Sequence, residues 1–255
     1  MNGKMPRKKA SSANQKQAGN PTRAGAFPIV AIGASAGGLE AIEKFLKEVP
    51  QYSGMAFVVI QHLDPNHKSI LTELISRVTP LRVLEVSDGM RIEPNCAYVI
   101  PPNRDMALLH GSLQLIEPSA PRGLRLTIDF FFRSFAQDLG DRAICIVLSG
   151  TGTDGTLGIK AVKEAGGMVI VQSLESAKYD GMPRSAIGTG LADFTLPPEK
   201  MAAQLSNYVQ FAFANWRMPV AVLRISSIRR RWGISYSTIP VRLYSPILPV
   251  AACWG

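Results

Sequence analysis

The stretch IVAIGASAGG, residues 29–38, is an apolar run that breaks into three glycines around one serine, Ser35. A short, continuous apolar run without alternation suits a strand buried on both faces of a parallel sheet. The next residues, 37–49 (GGLEAIEKFLKEV), put Leu39, Ile42, Phe45, Leu46 and Val49 at helical spacing and stop at Pro50. Strand, tight turn, helix is the repeating unit of an α/β fold. The glycines in such a turn either cradle a phosphate or raise Ser35 as a nucleophile.

The same alternation continues outward. Residues 54–62 (GMAFVVIQH) read as a second buried strand and 66–78 (NHKSILTELISRV) as a second helix, ending before Pro80. The region 81–120 carries Asp88-Gly89, His110-Gly111 and several prolines, the punctuation of a small antiparallel hairpin insertion. Residues 127–140 (TIDFFFRSFAQDLG) read as a helix and 142–150 (RAICIVLSG) as a third buried strand. A further helix, 156–167, closes on Gly166-Gly167, and 168–173 (MVIVQS) is a fourth strand. The alternation predicts an α/β domain with a mostly parallel sheet over residues 26–210. Residues 1–25 are too polar to bury a core and are expected to be disordered. Residues 211–255 show no clear periodicity and read as an irregular basic tail.

The net charge of +9 looks like a nucleic-acid signal until it is located. Six Lys/Arg and no acid lie in residues 1–25, and six Arg and no acid in 211–255. The segment between holds sixteen basic and all nineteen acidic residues, a net of −3, which argues against a nucleic-acid partner for the folded part. Three scattered cysteines make neither a disulfide framework nor a zinc site, and Cys145 reads as core packing. The basic N-terminus lacks the apolar stretch of a secretory signal, and no apolar run is long enough to span a bilayer. A cytoplasmic protein without membrane insertion is the expectation.

Parallel sheets present their working residues where strands end and helices begin. Three such junctions offer Ser35, His62 and Asp154. Each has a plainer explanation taken singly: Ser35 and Asp154 as helix caps, His62 as a satisfied half-buried histidine. Together at one sheet edge they supply a nucleophile, a base and the carboxylate that orients it. His67, at a helix start, and His110, in a hairpin turn, are worse placed. Against the dinucleotide fingerprint the string offers Gly33, Ser35 and Gly38, so the glycine that lets a pyrophosphate approach is missing. The lysine of a phosphate-binding loop is absent too. GASAG does fit the nucleophile elbow G-x-S-x-G between a strand and a helix. The order Ser, His, Asp with the elbow on the first strand differs from an α/β-hydrolase, so triad chemistry is expected on another scaffold.

Several stretches in order, IVAIGASAGG, VVIQHL, AYVIPPN, IDFFFRSFA, LSGTGTDGTLG and YDGMPRSAIGTGLADFTLP, resemble the catalytic domain of the CheB family, the chemotaxis protein-glutamate methylesterases. The likeness runs from Phe27 to Tyr208. It implies a doubly wound α/β domain with helices on both faces and a Ser-His-Asp triad, falling on Ser35, His62 and Asp154. It implies demethylation of glutamate methyl esters on the cytoplasmic helices of chemoreceptors, deamidation of glutamines as a second activity, and no metal or cofactor. Backbone amides of Ala36 and Thr151 are the expected oxyanion donors. Ala36 stands where the family often has threonine, and Thr151 where it often has methionine. Met182, Pro183 and Arg184 are expected to border the receptor groove. The wording of the motifs is closer to versions fused to a receptor methyltransferase and sensor modules, which makes a methyltransferase or sensor kinase an expected partner. The rival readings are a binding module that keeps the fold without turnover and a nucleotide-binding regulator.

Overall fold

The computed structural model describes residues 27–61, 70–118 and 125–216. β1 (Ile29–Ala34) leads through Ser35 into α1 (Gly38–Lys47), and β2 (Ala56–Gln61) is followed by α2 (Leu71–Val78). Five short strands come next: β3 (Arg82–Glu85), β4 (Met90–Arg91), β5 (Cys96–Val99), β6 (Asp105–Leu109) and β7 (Ser112–Ile116). Then follow α3 (Thr127–Leu139), β8 (Ala143–Val147), α4 (Thr156–Glu164), β9 (Met168–Gln172), α5 (Gly181–Gly188), β10 (Phe194–Leu196) and α6 (Pro198–Trp216).

Seven strands form one sheet in the order β10-β9-β8-β1-β2-β5-β3, and every adjacent pair is parallel. β1 is the strand from which the chain winds one way to β2 and β5 and later the other way to β8 and β9. In open parallel sheets the crevice beyond the carboxyl ends of the strands at such a reversal is where sites form. Because side chains alternate along a strand, the sheet is buried on both faces. One face, with Ala31, Val58, Cys145 and Val169, packs under Ile128, Phe131, Phe132 and Phe135 of α3 and Ile159 and Val162 of α4. On the other face Phe57 meets Phe45 of α1 edge to face, ring centres 5.8 Å apart. Gly33 makes the first packing possible: a side chain there would meet Ile128 and, at 3.2 Å, Phe132.

The small antiparallel insertion expected after residue 80 is present, but it takes up less of that region than expected. Only β4, β6 and β7 form a separate antiparallel sheet, in the order β4-β7-β6. β3 and β5 join the main parallel sheet instead. All four residues of β5 are buried, but four residues between Asn95 in the left-handed region and Pro101-Pro102 are too few to show a period. β3 is an edge strand with Arg82 and Glu85 exposed, the charged pattern that edges carry. β10, the other edge, is three residues long.

One compact unit ends at Asn207 and a second begins at Tyr208, whose described part is the end of α6. Residues 211–216, expected within the irregular tail, are therefore helical, while the remaining tail residues and residues 1–25 lie outside the described residues. Among the described residues no helix is long and apolar enough to cross a membrane.

Candidate active site

Ser35 follows the last residue of β1 and is half-buried. Gly37, with φ of 68°, turns the chain sharply and caps α1 without any side-chain cap, so the serine does not serve as the helix cap. Its backbone is held on both sides. Ser35 N–H donates to Ser149 O (3.0 Å), and Ser35 O accepts from Gly38 N–H (2.9 Å). One residue pair earlier, Leu148 N–H donates to Gly33 O (2.9 Å), so β1 and β8 remain stitched up to the Ser35 turn.

The loop after β8 approaches the same turn. A side chain at Gly150 would collide with Met182 Sδ and reach 2.9 Å from Ser35 Cβ. Gly150 N–H donates to Tyr179 O (3.0 Å), and its carbonyl accepts from Met182 N–H (2.9 Å), which fastens the loop to the start of α5. Ala36 N–H and Thr151 N–H have no hydrogen-bond partner among the described residues. Thr151 is exposed and Ala36 half-buried.

Asp154 is 4% exposed, and its carboxylate accepts three backbone N–H groups: Ile128 (3.0 Å) on Oδ2, and Asp129 and Gly155 (both 2.9 Å) on Oδ1. It caps α3, a helix distant in sequence, rather than only α4, which it precedes. Asp129 returns the arrangement by accepting Gly158 N–H (2.5 Å) in the first turn of α4. Burial raises the Asp129 carboxyl above its ordinary range, the Asp154 charge adds to this, and the Gly158 N–H and Arg133 oppose it.

His62 lies outside the described residues. The residue before it, Gln61, is the register partner of Ala34, the residue before Ser35. His110 is exposed in the β6–β7 turn, where Asp138 accepts its backbone N–H (2.6 Å). Of the three residues expected to border the groove, only Arg184 is exposed; its guanidinium pairs with Asp180. Met182 is fully buried in the core cluster, with its sulfur against Gly150, and Pro183 is buried as well. Sequence reasoning missed Asp129, Ser149, Gln172 and Tyr179, polar residues whose roles depend on partners from 23 to 113 positions away. Among the described residues, no group of three or more His, Cys, Asp or Glu side chains converges as a metal site would.

The chain is similar to known proteins over most of its described length. The CheB methylesterase family model matches residues 30–205. Protein-glutamate methylesterase/protein-glutamine glutaminase 2 of Methanosarcina acetivorans is 34% identical over 185 residues, 69% of this chain and 52% of that protein. An uncharacterized 104.1 kDa protein of Rhodobacter capsulatus is 42% identical over 139 residues, 54% of this chain and 14% of its own length. The chain thus spans about half the length, or less, of these relatives. The crystal structure of the Thermotoga maritima CheB methylesterase catalytic domain superposes with a TM-score of 0.68 at 30% identity, covering 72% of this chain and 99% of that one. With a family model spanning most of the described fold and a solved catalytic domain matched almost end to end, the chain belongs to the CheB methylesterase family.

Proposed function

We propose that the chain is a serine esterase that hydrolyses glutamate methyl esters on chemoreceptors. Ser35 Oγ attacks the ester carbonyl carbon while His62 takes its proton. The carbonyl oxygen becomes an oxyanion, which accepts hydrogen bonds from Ala36 N–H and Thr151 N–H. Asp154 orients His62 and stabilises its imidazolium. Collapse of the tetrahedral intermediate breaks the bond to methoxide, which leaves as methanol with the proton from His62. Water then adds to the acyl-enzyme carbonyl while His62 accepts its proton, and collapse breaks the bond to Ser35 Oγ, which takes that proton from His62 as the glutamate carboxyl leaves. A glutamine side chain would follow the same path with ammonia leaving, which accounts for deamidation as a second activity.

The observation that carries this reading is the pair of unpartnered amides, Ala36 and Thr151, beside a serine whose own backbone is fixed at the carboxyl end of the central strand. A helix-capping serine needs no such neighbours. Arg184 is the exposed candidate to meet the receptor, next in α5 to the buried Met182 and Pro183. The substrate segments are the cytoplasmic helices of receptors, so the enzyme acts in the cytoplasm. The ester must come from a receptor methyltransferase, the partner that this chemistry requires.

The test is methanol release from methylated receptor membranes by the wild type and Ser35→Ala. A loss of at least about 1,000-fold is expected. Unchanged release would overturn the triad assignment. A fluorophosphonate should label Ser35 in the wild type and fail to label His62→Ala at a comparable rate.

A further inference from the structure

Ser149 stands just past the carboxyl end of β8, wholly buried, with every polar group engaged. Its N–H donates to Gln172 Oε1 (2.8 Å), and its carbonyl accepts Ser35 N–H (3.0 Å). Its hydroxyl oxygen lies 2.9 Å from Ala36 O, 3.2 Å from Tyr179 O and 3.0 Å from Tyr179 N. A hydroxyl has one proton, so it accepts from Tyr179 N–H and donates to Ala36 O, the nearer carbonyl. Gln172, the last residue of β9 and 1% exposed, backs this arrangement: its Nε2 donates to Ser176 O at 2.9 Å.

One buried hydroxyl thus joins the nucleophile turn, the end of β8 and the segment that leads into α5. Its effect on the turn is specific. Ser35 N–H is held by Ser149 O, Ser35 O by Gly38 N–H, and Ala36 O by Ser149 Oγ. These bonds fix the peptide planes on both sides of Ala36 and leave Ala36 N–H as the one backbone polar group of the two residues without a described partner. Tyr179, whose N–H the same hydroxyl accepts, also holds Gly150 N–H with its carbonyl, next to Thr151.

We infer that Ser149, supported by Gln172, is a positioning residue that aims the Ala36 and Thr151 amides at the oxyanion. The inference rests on the esterase reading above. Oxyanion donors act only at the right distance from the developing charge, so a small displacement lowers the rate of the chemical step and leaves ground-state binding largely as it was.

The measurement is kcat, KM and thermal stability of Ser149→Ala with p-nitrophenyl acetate, together with inhibition by a trifluoromethyl ketone. The ketone adds Ser35 Oγ to its carbonyl carbon and places an oxyanion where the reaction does. A fall in kcat of about 10- to 100-fold is expected, with KM within about twofold and inhibitor affinity weakened by a factor that tracks kcat. A merely structural serine would lower the melting temperature and leave kcat and inhibitor affinity at wild-type values, which would overturn the inference. Should Ser149→Ala fail to fold, Gln172→Met provides the second test. It removes both the acceptor for Ser149 N–H and the donor to Ser176 O, and a several-fold fall in both kcat and inhibitor affinity is expected; no change in either overturns the proposal. A wild type that neither turns over the ester nor labels at Ser35 removes the esterase reading, and this inference with it. An active wild type matched by both variants removes only the role of Ser149 and Gln172.

Discussion

Asp154 meets three amides on two different oxygens, a structural task separate from the histidine-orienting role proposed for it. Replacement by asparagine leaves one oxygen and turns an NH2 toward an N–H on the other side. Asp154→Asn is therefore expected to lower stability by about 1–3 kcal/mol through an unsatisfied amide and to lower kcat by up to about 10,000-fold through the wrong histidine tautomer. Denaturant melts and ester turnover on the same variant check both; normal stability with lost turnover would mean that the α3 cap is dispensable. The placement of Ser35 just after β1 and of Asp154 just before α4 was legible because a strand end or helix start is a local feature. The partners of Asp154 were not legible: Ile128 and Asp129 come from a helix 25 or 26 residues earlier, and no local pattern marks an amide as awaiting a cap. Cys145 was legible as core, and its burial in β8 pushes the thiol well above its ordinary range.

The helices α3 and α4 each have their first turn tied to an acid beside the other. Asp154, just before α4, holds the start of α3, and Asp129 in α3 holds Gly158 in α4. A side chain at Gly158 would strike Phe132, so the helices meet at van der Waals contact where these caps cross. The exchange has a pH signature. Asp129 has its carboxyl raised by burial first and by Asp154 after that, so the folded state holds that proton more tightly than the unfolded chain. Its contribution to stability is complete below the ordinary aspartate value and declines as the pH rises through the folded one. The substitution Asp129→Asn would keep an acceptor for Gly158 N–H and introduce a side chain that cannot ionise. The melting temperature of Asp129→Asn relative to wild type is expected to rise from about pH 4 to about pH 7; a flat difference would exclude the carboxylate as the source. Long periodic elements such as α1 and α3 were readable from their spacing. β3, β5 and β10 were not, since three or four residues carry no period and their strand character comes from the neighbour they pair with. α6 runs on to Trp216 although the sequence beyond residue 210 shows no pattern of its own.

At the scale of the molecule, β1 lies in the middle of the main sheet with β2 and β8 on either side, and its carboxyl end opens at the point where the strand order reverses. Substitutions should weigh accordingly. Ile32→Ala in β1, wholly buried, is expected to cost about 2–5 kcal/mol, whereas Leu84→Ala in the half-buried edge strand β3 should cost less than half as much. Denaturation midpoints of the two variants measure the contrast, and equal losses would contradict a sheet organised around β1. The charge balance also belongs to this scale: the basic residues concentrate in the two terminal stretches, and the segment between is net −3. By itself the sequence determined the α/β class, the buried strands β1, β2, β8 and β9, the sharp glycine turn after β1 and the serine within it, because each depends on residues adjacent in the chain. Only the tertiary structure decided that Ser149 joins Ala36 to Tyr179, that Asp154 caps α3, and that Met182 is buried in the core cluster. Those roles depend on which distant backbone groups are brought within about 3 Å and closed off from water, a property of packing that no single stretch of chain contains.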